Sequence, residues 1–405
     1  MDFWLAERMS KLGTETAFEV GYYASLLKLR GLEHKVIPFY VGNINLKTPK
    51  NIRDAIHKAI EEGKTGYCAP KGIYELRKAM AEHLNERFEN SGLEFTEDNV
   101  SVQSGGKPVI IKTLLTLMNP GDAVVYPEPG YTIYSSAINV FDGIPVPYKY
   151  VETEKGWEID LDHLKYQVNK YKPKILIFNN HHNPTGSVTS QKQLDEIAEL
   201  AVQNNLLILN DEAYERIYYG QEYGSLLSDP RLKKRMINAF SWSKSFAMPG
   251  LRLGTAVGPE IIIDGINKWN VNIESCTTQP IQWGGIEALK GPQDGARKIL
   301  SSFRKRRDFA YPLINKIPGF KTHLPKSTFY FWVDVTEAMQ NKGITDYEKL
   351  WRSLIDETGV AITTRNHFGN PLECETRKYI RISFSGVSLG EIKEGLKRLE
   401  DYFSR

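Results

Sequence analysis

The chain has 405 residues, which exceeds the size at which one hydrophobic core usually stops growing and therefore predicts two lobes. Its net charge of +3, with 41% hydrophobic and 25% charged residues, is typical of a globular protein and excludes a nucleic-acid binder with a concentrated basic face. Three cysteines without metal-ligand spacing argue against a disulfide framework and a zinc site. The segment 1–19 has acidic residues and no continuous apolar run, so we expect no signal peptide, no membrane span and a cytoplasmic location.

Strand-like apolar runs alternate with helical patterns from about Asn51 to Gly258. This alternation predicts an α/β doubly wound domain with a mostly parallel sheet. Gln191–Asn204 is the clearest helix, because Ser190 and Gln193 form a capping box before an apolar stripe. The predicted strands are Asn99–Gln103, Ala123–Tyr126, Lys174–Asn179, Leu206–Asp211, Met236–Ser241 and Gly254–Gly258.

The pattern changes after about Gly291 and predicts an α+β lobe. A long helix over Ala296–Lys316 carries the basic cluster 304–307, which we interpret as a solvated helix face. Strands are predicted at Thr328–Val333 and Tyr379–Phe384, and a final helix begins with the capping box of Ser388 and Glu391. We expect residues 50–295 to form the large domain, and residues 1–49 and 296–405 the small one.

The segment Ser241–Gly254 carries the most specific chemistry. Lys244 follows a buried strand, so its amine enters a dry site where it can attack a carbonyl. Ser241 and Arg252 bracket the lysine with a hydroxyl and a guanidinium, which are the groups that bind a phosphate dianion. Gly250 and Gly254 allow the backbone to pass closely.

This segment resembles the cofactor-lysine motif of the class I aminotransferases, which are fold type I pyridoxal-phosphate (PLP) enzymes. The resemblance covers nearly the whole chain, from Lys11–Val20 through Asn183–Gly186 to Arg381–Phe384. It is strongest to the bacterial and archaeal subfamily that includes aspartate and aromatic aminotransferases. It implies an α/β fold with a mostly parallel central sheet, helices on both faces and a smaller α+β domain.

The resemblance assigns cofactor roles to residues in four motifs. Lys244 would hold PLP as a Schiff base, and Asp211, which ends a predicted strand, would pair with the pyridine nitrogen. A helix N-cap is the alternative for this aspartate. Tyr214 and Asn183 would share the cofactor's phenolic oxygen, although an Asn-Pro-Thr-Gly segment alone is also typical of a turn.

Two further segments resemble cofactor-binding motifs of the family. The backbone at Gly105 and Gly106, at the start of a predicted helix, would cradle the phosphate. The lysine after these glycines, Lys107, contacts a substrate side-chain carboxylate in similar enzymes, but a phosphate-side or solvent-facing position stays open. Tyr131 matches the ring that stacks on the cofactor, with a core tyrosine as the alternative.

The remaining site residues concern substrate and partner. Arg381 resembles the arginine that clamps the substrate α-carboxylate, and Gly42 lies in a loop close to the substrate in similar enzymes. Asn183 is expected to contact the substrate as well as the cofactor. Tyr67 resembles the tyrosine that reaches the partner's phosphate, which implies a homodimer with shared active sites. No metal is expected, because adjacent His181 and His182 would point in opposite directions and lack further ligands.

Three segments depart from the family pattern, and each lies near the expected substrate position. Asn43–Leu46 replaces a stretch with two acidic residues and a proline, Ser327 and Thr328 replace smaller residues, and Asn366 and His367 stand where small residues are usual. These changes put the identity of the substrate in doubt, not the cofactor.

The sequence therefore predicts a PLP-dependent aminotransferase that moves an amino group between an L-amino acid and a 2-oxo acid. The donor is expected to be aspartate-like or aromatic, and the acceptor 2-oxoglutarate. The alternative is a PLP-dependent lyase, replacement or cyclisation enzyme, because one fold hosts many reactions. A cofactor-binding regulator is a further alternative, but 405 residues leave no room for an added DNA-binding segment beyond two lobes.

Overall fold

The computed structural model describes residues 4–13, 16–29, 36–221 and 223–405. These residues form three sheets and the helices that cover them. The strands are β1 Ile37–Pro38, β2 Val100–Gln103, β3 Ala123–Glu128, β4 Ile144–Thr153, β5 Gly156–Ile159, β6 Ile175–Phe178, β7 Leu207–Asp211, β8 Met236–Ser241, β9 Gly254–Val257, β10 Lys321–Thr322, β11 Tyr330–Asp334, β12 Val360–Ala361, β13 Thr363–Thr364 and β14 Tyr379–Ser383.

The α-helices follow the strands in near alternation up to β9. They are α1 Ala17–Leu29, α2 Lys50–Glu61, α3 Tyr74–Arg87, α4 Gly106–Leu117, α5 Ile133–Val140, α6 Leu161–Tyr171, α7 Gln191–Gln203, α8 Trp242–Ser245, α9 Glu260–Ile273, α10 Gln279–Lys290, α11 Asp294–Ile314, α12 Thr336–Asn341, α13 Tyr347–Thr358 and α14 Leu389–Phe403. No helix in the described ranges combines the length and the apolar character needed to cross a bilayer.

The largest sheet has eight strands in the order β2-β9-β8-β7-β6-β3-β4-β5. Strands β4, β3, β6, β7 and β8 run parallel, while β5, β9 and β2 pair antiparallel with their neighbours. Alternate residues of the central strands enter two separate cores. Ile175 and Ile177 pack into one, while Leu176 and Phe178 pack into the other. Because both faces are buried, these strands are nearly continuous apolar runs.

A second lobe is built on the four-stranded antiparallel sheet β10-β11-β14-β13. Its core joins residues from α11, α13 and α14 with residues near the N-terminus. Val20, Phe39 and Ile44 belong to the same apolar cluster as Phe303, Leu350 and Leu399. Strand β1 also pairs in parallel with β12. The leading segment therefore completes the core of a lobe that is otherwise formed by the end of the chain.

The predicted elements agree with the structure to within one or two residues at most ends. The capping boxes of Ser190 with Gln193 and of Ser388 with Glu391 both form. The predicted strand from Thr328 begins only at Tyr330, because Thr328 has a left-handed φ of 64°. The interpretation of 304–307 as a solvated face is wrong for Arg306 and Arg307, which are buried with relative exposures of 6% and 8%.

Candidate active site

Polar side chains collect at the carboxyl ends of the parallel strands. Asp211 and Ser241 are the last residues of β7 and β8, and Tyr131 and Asn183 follow β3 and β6. Ligands of open α/β sheets bind at this edge. A cavity of about 360 Å³ lies there, between the sheet and the second lobe. It is lined by most of the predicted site residues, namely Gly42, Gly106, Lys107, Tyr131, Asn183, Asp211, Tyr214, Ser241, Lys244, Arg252 and Arg381.

Two predicted residues lie outside this lining. Gly105 stands directly beneath the Arg252 side chain and contributes backbone only. Tyr67 has a relative exposure of 89%, and its ring does not face the cavity of its own chain. Of the Lys11–Val20 motif, Thr14 and Glu15 lie outside the described residues, while Ala17 and Phe18 line the cavity.

Lys244 enters the cavity from the short helix α8. Ser241 caps this helix by accepting a hydrogen bond from the backbone N–H of Ser243 at 3.2 Å. The Lys244 Nζ atom donates to the backbone oxygen of Gly42 at 3.1 Å. Because Gly42 follows β1 in the second lobe, the amine lies at the junction of the two lobes.

Asp211 is a buried carboxylate with a relative exposure of 6%. It accepts hydrogen bonds from the Tyr134 hydroxyl at 2.7 Å and the Ala213 backbone N–H at 3.0 Å. Burial raises the pKa of Asp211 to about 6, against the opposing effect of the Tyr134 hydrogen bond. No helix begins after this residue, so the N-cap alternative lacks its helix. Among the described residues no cation pairs with the carboxylate.

An anion site forms where β2, β8 and β9 end. The backbone of Gly105 has a φ of 103°, and a Cβ atom there would collide with the Arg252 guanidinium. A Cβ atom on Gly254 would come within 2.6 Å of the Gly105 carbonyl carbon. Helix α4 begins at Gly106 and directs its first N–H groups to the same place. A helix start, a guanidinium and the Ser241 hydroxyl together suit a phosphate dianion.

Arg381 extends from β14 on the opposite side of the cavity. Its Nη1 atom donates to Asn183 Oδ1 and its Nη2 atom donates to the Tyr40 backbone oxygen, both at 2.9 Å. The guanidinium carbon lies 4.0 Å from the centre of the Tyr330 ring and 4.4 Å from that of Phe368. These contacts fix a planar fork that suits a carboxylate.

Three further side chains with contacts to the predicted site residues were not predicted from the sequence. The Tyr330 hydroxyl hydrogen-bonds the Tyr214 hydroxyl at 2.9 Å, Tyr134 holds Asp211, and Phe368 packs on Arg381. The sequence does carry a signal for Tyr134. It stands three residues after Tyr131, which places both residues on the same side of a helical turn. Burial raises the pKa of Tyr214 well above its ordinary value, so its hydroxyl stays protonated.

Lys107 and Tyr131 also line the cavity. The Lys107 Nζ atom lies 5.7 Å from the centre of the Tyr131 ring, and that ring meets Tyr134 edge-on at 5.8 Å. Both side chains face the cavity. The position of Lys107 inside the lining disfavours the solvent-facing alternative.

The two adjacent histidines pack in the interior. His182 stacks on Tyr150 with ring centres 3.7 Å apart, and burial lowers its pKa to about 3. His181 lies 3.6 Å from the Glu212 carboxylate. The described residues contain no group of three or more His, Cys, Asp or Glu side chains that could hold a metal ion.

The three departures from the family pattern differ in their distance from the cavity. The Asn43 side chain accepts from its own neighbour Ile44, and Asn45 accepts from Arg306 at 2.8 Å. Neither asparagine lines the cavity, and neither do Ser327 and Thr328. His367 does line it, so this histidine is the departure with direct access to a substrate.

The cavity as a whole fits PLP. The anion site matches the phosphate, the buried Asp211 carboxylate without a cationic partner matches a protonated ring nitrogen, and the Lys244 amine matches an aldehyde. The family model for "Aminotransferase class I and II" matches residues 34–399 of the chain. The chain belongs to this family.

Individual relatives agree with this assignment. An aspartate aminotransferase from Sulfurisphaera tokodaii is 32% identical over 93% of this chain and 91% of its own length. An asparagine–oxo-acid transaminase from Streptococcus mutans is 31% identical over 99% of both chains. The crystal structure of the aspartate aminotransferase from Rhizobium meliloti superimposes with a TM-score of 0.90 at 27% identity, covering 100% of this chain and 99% of that one.

The protein is therefore a PLP-dependent aminotransferase with the type I fold. The predictions of family, fold class, cofactor and enzyme class are confirmed. The names of the relatives favour transamination over the alternative of a lyase, replacement or cyclisation enzyme.

Proposed function

We propose that this aminotransferase acts on acidic L-amino acids of the aspartate type, with 2-oxoglutarate as the acceptor. One observation carries the proposal. Among the described residues that line the cavity there are four cationic side chains, Lys107, Lys244, Arg252 and Arg381, and one carboxylate, Asp211. PLP takes Arg252 through its phosphate and Lys244 through its aldehyde, so Lys107 and Arg381 are the two lining cations placed to meet carboxylates of a substrate.

The substrate would lie between two cations. Arg381 binds the α-carboxylate through its fixed fork, which leaves the substrate side chain facing the Tyr131 wall. There the Lys107 ammonium attracts a second carboxylate as a point charge. An acidic donor is expected to be preferred over an aromatic one, because only a side-chain carboxylate would form an ion pair with Lys107.

The other residues hold the cofactor and move protons. We assign the phosphate to Gly105, Gly106, Ser241 and Arg252, the ring face to Tyr131, and the phenolic oxygen to Asn183 and Tyr214. Asp211 keeps a proton at the ring nitrogen, and the Lys244 amine takes the α-proton of the substrate and returns it. The bound cofactor supplies an electron sink for the charge that develops at the α-carbon.

The domain division that we expect from the sequence fits this scheme. We propose residues 50–295 as the large, cofactor-binding domain, and residues 1–49 with 296–405 as the small domain. The shared apolar cluster of Val20, Phe39, Phe303 and Leu399 supports the joining of both chain ends. The site then lies between the domains, with Lys244 on one and Arg381 on the other.

We also propose a homodimer in the cytoplasm. Tyr67, with 89% exposure, and Trp4, with 92%, are large aromatic side chains exposed to solvent, as expected for side chains that a second subunit covers. Tyr67 would then reach the partner's phosphate site. Cys68, Cys276 and Cys374 are free thiols, which agrees with a reducing compartment.

The substrate assignment is tested with the purified holoenzyme and single amino acids. L-Aspartate and L-glutamate should each convert the bound cofactor to its amine form, and 2-oxoglutarate should restore the original spectrum. Conversion by phenylalanine or leucine but not by either acidic amino acid would contradict the proposal. Release of ammonia without a 2-oxo acid would instead indicate elimination.

A variant of Lys107 tests the second carboxylate contact. Lys107→Ala should lower kcat/KM for aspartate by about tenfold and leave that for alanine nearly unchanged, because alanine has no side-chain carboxylate. Lys50→Ala, which removes an exposed lysine outside the cavity, is the matched control. Equal losses for both substrates would assign Lys107 to the cofactor and not to the substrate.

Subunit complementation tests the shared site. Lys244→Ala and Tyr67→Ala homodimers should both be impaired, whereas hybrids would contain one site with both residues intact. Random mixing should restore about a quarter of the wild-type activity, because half of the dimers are hybrids with one good site. Hybrids without any recovered activity would show that Tyr67 does not complete the partner's site.

A further inference from the structure

A single buried arginine organises the loop that forms the substrate side of the cavity. This loop, residues 365–378, connects β13 to β14 and carries His367 and Phe368 into the lining. Arg365 begins the loop and has a relative exposure of 1%. A buried guanidinium is costly unless every donor finds a partner, so its contacts define what it does.

Most of these contacts lie within the loop itself. Arg365 Nε and Nη2 donate to the two carboxylate oxygens of Glu375 at 2.8 and 2.6 Å. Nη1 donates to the backbone oxygens of Phe368 and Gly369, both at 3.2 Å, and Nη2 also donates to that of Asn370 at 3.1 Å. The guanidinium therefore satisfies a run of carbonyls that no regular secondary structure would satisfy.

The remaining contacts cross to the large sheet. Arg365 Nη2 lies 3.0 Å from Oε1 of Glu128, the buried last residue of β3. The Gly130 backbone N–H donates to the Phe368 oxygen at 3.1 Å. Gly369 has a φ of 99° and packs so closely that a Cβ atom would collide with the Glu128 carboxylate. The loop is thus fastened to the segment that carries Tyr131.

The consequence appears at the substrate arginine. The Phe368 ring packs 4.4 Å from the Arg381 guanidinium, and its backbone oxygen is held by Arg365 on one side and Gly130 on the other. Without the Arg365 fork, the loop would lose five hydrogen bonds and its ion pair with the large sheet. Phe368 would then no longer be fixed against Arg381.

We propose that Arg365 is a positioning residue for substrate binding: it fastens the loop bearing His367 and Phe368 to the cofactor-holding sheet and so fixes the orientation of Arg381. The inference rests on the proposed role of Arg381 as the carboxylate-binding residue. The sequence segment that departs from the family pattern at 366–367 is held in place by this arginine.

The test compares steady-state kinetics of holoenzyme variants. Arg365→Met keeps the bulk of the side chain and removes its donors. It should raise KM for both the amino donor and the oxo acid by about tenfold or more, because a small misplacement of a positioning group is costly. The value of kcat should change much less, since the lost binding is common to the ground and transition states. Arg365→Lys keeps the charge but not the fork of donors, so its KM should lie between those of the wild type and of Arg365→Met.

Loss of stability must be separated from loss of positioning. The double variant Arg365→Met with Glu128→Met removes both partners of the ion pair to the sheet, so it should recover much of the melting temperature while KM stays raised. Leu399→Ala removes buried apolar volume from the same lobe but touches no loop contact, and it should lower the melting temperature with a wild-type KM.

Two outcomes would overturn the inference. One is a folded Arg365→Met variant with the wild-type KM, and the other is an equal rise of KM in Leu399→Ala. The variant Arg381→Lys distinguishes the positioning role of Arg365 from the carboxylate-binding role of Arg381. If that variant raises KM while Arg365→Met does not, only the positioning role is lost. If Arg381→Lys leaves KM unchanged, the proposed function itself fails.

Discussion

The two walls of the cavity are held in different ways. On the cofactor wall, Asp211 and Ser241 extend directly from parallel strands whose neighbours on both sides are hydrogen-bonded. On the substrate wall, His367 and Phe368 lie on an irregular loop whose shape depends on one arginine and two glutamates. The sheet fixes the chemistry common to the family, whereas side-chain contacts between distant segments fix the part that meets the substrate.

The largest effect is expected on the cofactor wall, from Lys244→Ala. The variant lacks the amine that we assign to the transfer of the α-proton, so kcat should fall by about a thousandfold or more. Steady-state turnover measures the loss, and circular dichroism checks the fold. Residual activity within tenfold of wild type would mean that a different group transfers the proton.

The pH dependence of the cofactor-free protein tests the same wall. Burial raises the pKa of Asp211 to about 6 from an ordinary value near 3.8. The folded state therefore holds this proton more tightly than the unfolded state does. The stabilisation is complete below pH 3.8 and is lost as the pH rises through about 6, and it should amount to about 3 kcal/mol. Asp211→Asn should lack this decline in urea titrations between pH 4 and 7. If the free energy of unfolding changes with pH in the same way in the wild type and in Asp211→Asn, the Asp211 carboxylate is not desolvated.

Arg381→Lys probes the substrate wall with a somewhat smaller expected effect. A lysine keeps the charge but cannot form the fork held by Asn183 and Tyr40. We expect kcat/KM to fall by about ten- to a hundredfold for every donor, with cofactor binding unchanged. Loss of the bound cofactor in this variant would show that the two walls are not separable.

The smallest effect is expected from His367→Ala. Its Nδ1 atom lies 3.0 Å from the Thr364 backbone nitrogen and 3.2 Å from the Thr364 carbonyl oxygen, while the ring lines the cavity. Burial lowers the pKa of His367 to about 4, and the charge of Arg381 adds to this. Loss of one neutral hydrogen-bonding group should reduce kcat/KM by about three- to tenfold. The exposed neighbour Asn366→Ala is the control and should behave as wild type, so equal losses in both variants would indicate a general disturbance of the loop.

Local sequence patterns predicted where the residues of the cofactor wall lie in the fold. Asp211 and Lys244 follow apolar runs that a parallel sheet requires, which places them at strand ends. The roles proposed for them come from the family resemblance. Strands β4 and β5 were missed; in β4, Pro145 and Pro147 argue against a strand in any local interpretation. In the structure both prolines lie in β4, which pairs in parallel with β3.

The substrate wall could not be predicted in the same way. Arg365 and Glu128 are far apart in the chain, and a lone arginine or glutamate gives no periodic signal for a buried pair. Tyr330 likewise becomes part of the site only because β11 pairs with β14 and brings it beside Arg381. These are tertiary contacts between elements, and the spacing of residues along one element carries no information about them.

The anion site joins three strands that end side by side. Gly105 follows β2, Ser241 ends β8, and Arg252 with Gly254 leads into β9, so one phosphate would touch the ends of all three. Both pairings in this group are antiparallel and form one border of the large sheet. A bound cofactor therefore links the ends of these three strands, and its binding adds to the folding stability of the protein by mass action. Removal of the cofactor would take this link away, so the apoenzyme should unfold at a lower temperature than the holoenzyme.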